Sequence, residues 1–187
     1  MKYVFTILIV LVILGGGALF FAWSGIYNIA ATKPHWNITA RYIEMLRNRS
    51  IAVRSDNIQV PKIGAGDTEK AAFVHYHEMC RFCHGAPDLP SKEFAKGLYP
   101  KPPSMTTGHI QEEYSTAQIY WTIKHGIKLT GMPAFSPTHG ESEMWNLVSL
   151  VQEIHQMAPE KYRQMIPANQ AEAEGDHGHA HQYRNEP

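Results

Sequence analysis

Both cysteines of this 187-residue chain fall inside one five-residue stretch, Cys80-Arg81-Phe82-Cys83-His84. Whatever the chain folds into has to present two thiols almost one helical turn apart, with an imidazole set against the second. Three chemistries use such a pattern: a redox dithiol, half of a zinc site, and the covalent attachment of a c-type haem. A thioredoxin-like dithiol opens a helix after a strand, inside alternating strands and helices, and nothing in this sequence alternates that way. A structural zinc site needs four ligands, usually two pairs. No second cysteine pair exists; Cys80, Cys83 and His84 with a distant histidine would still make a Cys2His2 set, although adjacent Cys83 and His84 suit a tetrahedral clamp poorly. Haem attachment needs no further cysteine: the two thiols add to the vinyl groups on one porphyrin edge, and the next histidine projects beneath the ring toward iron.

The surrounding pattern is helical. "TEKAAFVHYHEMCRFCH" has Ala72, Phe73, Tyr76 and Cys80 at helical spacing, with Asp67 or Thr68 as cap. Ser115 and Gln118 form a capping box that opens a second helix, which Gly126 ends. A third starts near Gly140 with Glu141 and Glu143 in its first turn, carries Met144, Leu147, Val148, Val151 and Ile154 on one face, and is expected to stop at Pro159. The first two are joined by "GAPDLPSKEFAKGLYPKPPSMTTGHI", too rich in proline and glycine for a strand.

Residues 3–32 contain no Asp, Glu, Lys or Arg. The apolar run from Tyr3 to Trp23 is long enough to cross a bilayer as a helix, with aromatic residues at both ends. A cleaved signal peptide is the alternative, since Ala22 and Ser24 offer small residues around a cut, but the run exceeds the usual apolar core of a signal. Only Lys2 precedes the run, whereas Lys33, Arg41, Arg47 and Arg49 follow it, and this charge bias argues weakly for a cytoplasmic C-terminal side. "TKPHWNITARYIEMLRNRS" reads as a helix capped by Thr32 with Pro34 in its first turn, either lying on the membrane surface or serving as a solvated spacer. Net charge is zero, the main domain is mildly acidic, and no stretch combines dense Lys and Arg with stacking aromatics, so a nucleic-acid partner is not expected.

A low-spin haem carrier needs a second axial ligand from the far face. Met79, Met105, His109, His125, Met132, His139 and Met144 are the candidates. Met79 sits beside Cys80 on the same helix, and Met144 belongs to the apolar face of the third. Met132 stands out, held between Gly131 and Pro133 in a loop 48 residues beyond His84. The residue pattern alone leaves open that Met132 is a plain apolar loop methionine.

"YHEMCRFCHGAP", "KGLYPKPPS", "IYWTIKHGIKLTGMPAF" and "EMWNLVSLV", in that order, resemble the landmarks of small bacterial monohaem class I c-type cytochromes, over roughly residues 67–157. "IYNIAATKPHW" and the apolar run resemble, more weakly, membrane-tethered relatives. The resemblance implies an all-α fold of three to four helices around one haem c, with first and last helices crossing. Phe73 and Tyr76 against Trp145 and Val148 are the expected contact. It implies thioethers at Cys80 and Cys83, His84 as proximal iron ligand and Met132 as distal ligand. The expected parts are an anchor (1–25), a connector with a short amphipathic helix (26–66), the cytochrome domain (67–159), and a polar, disordered tail (160–187) whose His177, His179 and His181 could hold a metal. The implied function is electron carriage, not catalysis. Electrons would come from a quinol-oxidising complex or dehydrogenase and go to a terminal oxidase or reductase; the alternative is an electron-entry subunit of a stable membrane complex. Because haem is attached to such proteins outside the cytoplasmic membrane, the resemblance sets the haem domain in the periplasm, against the charge bias.

Overall fold

The computed structural model describes residues 1–62 and 70–166. The expected cap at Asp67 or Thr68 and the histidines at 177, 179 and 181 lie outside the described residues. The chain divides into two compact units, Met1–Met45 and Leu46–Pro187.

In the first unit, α1 (Lys2–Ser24) buries no residue against protein, and its 23 residues are long and apolar enough to cross a membrane. Gly25, at φ 68°, ends it in the left-handed conformation that glycine adopts without strain. The chain then folds back on itself through aromatic contacts. Tyr27 packs edge-on to Trp36 at 5.0 Å, its hydroxyl lies 2.7 Å from His35 Nδ1, and Trp36 reaches Phe21 in the last turn of α1 at 6.0 Å between ring centroids. α2 (Asn37–Ser55) starts after this cluster. It opens four residues later than the sequence pattern suggests. Asn28 accepts from the Ala30 N–H and Ala30 from the Lys33 N–H, so the chain turns before Pro34, and the Trp36 carbonyl takes the first helical bond, from Ala40.

α2 also runs further than expected, to Ser55, because its last turns gain tertiary burial in the second unit. Ile51 is 3% exposed and Ser55 is buried, while Asn48 accepts a hydrogen bond from the Tyr114 hydroxyl. Burial of this kind overrides local turn signals.

The second unit is helical, with no strand among the described residues. α3 (Lys70–His75) passes through a π-helical turn (Tyr76–Cys80) into α4 (Arg81–His84). A 3-10 turn (Glu93–Gly97) and the short α5 (His109–Glu113) punctuate the proline-rich connection. α6 (Thr116–His125) has the capping box at Ser115 and Gln118, with both reciprocal bonds formed, and Gly126 follows at φ 63°. α7 (Glu141–Glu153) begins where Glu143 accepts from the Gly140 N–H at 2.6 Å.

α3 packs on α7, and α6 on α7. Phe73, Tyr76, Trp145 and Val148 all belong to the one apolar core, although their ring partners differ from the expected crossing. Trp145 stacks on Tyr120 at 3.9 Å, and Phe73 packs against Tyr162 at 4.8 Å.

Tyr162 lies in α8 (Pro159–Met165), within the stretch expected to be polar tail. Pro159 does not end α7, which already stops at Glu153; it occupies the first turn of α8, where its missing N–H costs nothing. Tyr162 is completely buried, its hydroxyl 3.0 Å from His77 Nδ1, and Arg163 pairs with Asp88 at 2.6 Å. α8 is therefore a structural part of the domain. Tyr162→Ala should destabilise the protein by about 3–5 kcal/mol in urea unfolding, the usual cost of deleting a buried aromatic ring; a change near zero would contradict docking of α8.

Candidate functional site

Cys80 closes the π-helical turn, and Cys83 and His84 occupy the last turn of α4. Gly85, at φ 72°, stops the helix, and its carbonyl accepts from the buried Tyr76 hydroxyl at 2.7 Å. The turn carrying the thiols is thus tied back onto the core. Both thiols are free. Burial pushes the Cys80 thiol up to about 12, with the neighbouring Cys83 adding to it, and burial raises Cys83 as well. A redox dithiol needs the opposite, a stabilised thiolate. The zinc reading also lacks support: no group of three or more His, Cys, Asp or Glu among the described residues could hold a metal.

His84 is held by a residue that the sequence did not single out. Its Nδ1 lies 2.8 Å from the Pro103 carbonyl, which can only accept, so Nδ1 carries the proton and the Nε2 lone pair is left for a ligand. The Met105 N–H donates to the His84 carbonyl at 3.1 Å, so residues 103–105 grip both the ring and the backbone. Burial pushes the His84 pKa down, opposed by the bond to Pro103. A neutral imidazole with one nitrogen fixed by a carbonyl is the form that binds a metal.

Met132 lies in the loop after α6, partly buried against the same core that Cys80 borders. Its backbone is pinned from both sides. The Met132 N–H donates to Thr130 Oγ1 at 3.1 Å, and its carbonyl accepts from the Ile127 N–H at 3.1 Å. Phe135 and Ser136 donate to the Ile123 and Lys124 carbonyls of α6. Gly126 makes this seat possible, because a Cβ there would meet the Pro133 carbonyl carbon at 2.6 Å and the Met132 oxygen at 2.7 Å. Gly131 faces the Leu98 side chain, 2.9 Å from where its Cβ would stand.

Five of the other far-face candidates are engaged elsewhere or face outward. Met144 is 2% exposed in the core, Met79 points outward from the π-helical turn, and His109 pairs with Glu113 at the surface. His125 packs by Trp121, and His139 sits against Phe135 and His75, while the Met105 side chain, like that of Met132, is partly buried against the core. Two free thiols, an imidazole with a bare Nε2 and a partly buried methionine on a pinned backbone form a donor set that fits a covalently attached haem.

Residues 67–151 match the family model described as cytochrome C oxidase, cbb3-type, subunit III. This domain is a c-type cytochrome. No curated protein and no solved structure matches the chain. A cytochrome c domain supports a haem-binding, electron-transferring role for the chain. Within the cytochrome domain, sequence reasoning missed Pro103 and Leu98, and for Tyr76 and Gly126, which it placed on the first helix and at the end of the second, it missed the bond to Gly85 and the close approach to the Met132 loop; the only advance signal for Pro103 was the Pro102-Pro103 pair. Gly126→Ala should cost about 3 kcal/mol, since a strained φ adds to a backbone clash. Gly131→Ala should cost about 1 kcal/mol or less, because a leucine side chain can move aside. Urea unfolding of the two variants checks that order, and equal losses would contradict the seat.

Proposed function

We propose that the chain is a membrane-tethered electron-transfer protein with one haem c, bound through thioethers at Cys80 and Cys83 and ligated by His84 and Met132. The observation that carries this reading is the donor set: His84 with Nδ1 committed to Pro103, and Met132 on a backbone pinned within the loop that follows α6. The haem iron would supply one-electron chemistry, cycling between its ferric and ferrous states. The protein residues set the terms of that cycling. Methionine sulfur adds no charge and favours the reduced form relative to a second imidazole, and burial in apolar surroundings acts in the same direction. With His84 and Met132 both holding the haem iron, substrates would be kept from it, which supports carriage over catalysis.

α1 would anchor the domain in the cytoplasmic membrane, with the haem domain in the periplasm, where haem is attached to apocytochromes of the resembled class. Tethering replaces three-dimensional search with high local concentration at membrane-bound redox partners. A quinol-oxidising complex or dehydrogenase would be the donor and a terminal oxidase or reductase the acceptor. A second reading is favoured by the description of the matching family, an oxidase subunit: the chain would then be the electron-entry subunit of a stable membrane complex. Purification in mild detergent separates the two, since a lone carrier runs alone and a subunit brings its partners.

The ligand assignment is tested by the visible spectrum of the oxidised protein. Met132→Ala is expected to abolish completely the weak far-red band of sulfur-to-iron ligation, to lower the reduction potential, and to leave the haem covalently attached. Persistence of that band in the variant would remove Met132 from the iron.

A further inference from the structure

We infer that the first half of α2 is a bilayer-docking surface that lies in the headgroup region of anionic phospholipid. This rests on the proposed membrane anchoring by α1 and adds a second, surface-lying contact to it. Ile38, Tyr42 and Met45, at helical spacings of four and three, share one face of α2. They are 77%, 61% and 60% exposed, although each is apolar or amphipathic. About two turns of solvent-facing apolar side chains are not needed to hold α2 in place, because its burial against protein begins later, at Ile51 and Ser55. Singly exposed apolar residues are ordinary; a contiguous stripe marks a contact.

The position of the stripe says what covers it. Trp36, immediately before α2, packs 6.0 Å from Phe21 in the last turn of α1, and Tyr27 bridges both rings. The first turn of α2 thus starts directly against the end of the apolar helix. If α1 spans the bilayer, that end is at the interface, where Trp23, Tyr27, Trp36 and Tyr42 have the amphipathic rings that prefer headgroup depth. The charges agree. Lys33, Arg41, Arg47, Arg49 and Arg54 outnumber Glu44 and Asp56 along residues 33–56, and long basic side chains can lay their stems on an apolar face while their heads meet lipid phosphate. A protein partner could use the same stripe, but the direct continuity with α1 favours lipid.

The test uses the full, haem-loaded chain in nanodiscs without other proteins. Nitroxide labels are placed one at a time at Ile38→Cys, Tyr42→Cys and Met45→Cys, with Glu44→Cys for the other side of the helix and Leu11→Cys for α1. The expected result is high oxygen and several-fold lower nickel-chelate accessibility at positions 38, 42 and 45 than at 44, with stronger protection in phosphatidylglycerol-containing than in pure phosphatidylcholine bilayers. Lipid-like accessibility at position 11 with chelate-exposed positions 38, 42 and 45 would overturn the docking surface and leave the anchor standing. Chelate exposure at position 11 as well would overturn both. Equal protection in the two bilayers would overturn the anionic component.

Discussion

The hydrogen bond from His84 to the Pro103 carbonyl ties the end of α4, with its thiols and imidazole, to the proline-rich connection. Without it the imidazole at the end of α4 could rotate, and its two nitrogens would be interchangeable. With it the proton is fixed on Nδ1 and Nε2 is presented as a lone pair, which is the state that an axial ligand requires. The neighbouring bond from the Met105 N–H to the His84 carbonyl fastens the same loop to the helix backbone. The proline-rich connection is therefore a clamp, and its prolines limit the conformations it has to lose on folding.

The rest of the fold serves to bring a second loop into a fixed position. α7 is the common support: α3 packs on it with the segment that leads to the thiols, and α6 packs on it with the segment that leads to Met132. The Trp145–Tyr120 stack fixes α6, the Tyr76–Gly85 bond fixes the end of α4, and Tyr162 closes the core beside Phe73. A methionine in a loose loop would be a poor ligand, because ordering it on each binding event costs conformational entropy. Here the backbone N–H and carbonyl of Met132 are both engaged within the loop, so the backbone that carries the proposed ligand is already ordered in the folded protein.

Much of this was legible in the sequence for a physical reason. The two thiols and the imidazole of the proposed haem attachment lie in one turn of chain, so their placement at the end of α4 could be read from contiguous residues. Capping at Ser115 and Gln118 and termination at Gly126 are equally local. What could not be read depends on distance along the chain. Pro103 reaches His84 across 19 residues of loop, and no periodicity announces a carbonyl acceptor. The burial of Tyr162 against His77 bridges 85 residues, and the polar residues around Tyr162 hide α8. Pro159 misled because proline opens helices as readily as it follows them. α2 outran its pattern for the same reason: Ile51 is buried by partners distant in sequence.

The central claim is a porphyrin joined to the polypeptide by two carbon–sulfur bonds, and its most direct measurement is made on unfolded chains. Protein produced in a host able to attach haem is denatured, extracted with acidified acetone, and assayed as its pyridine haemochrome. The account predicts one haem per chain that stays with the polypeptide, with an absorption band marking both vinyl groups as saturated. Pigment that passes into the solvent, or a colourless chain, would contradict it.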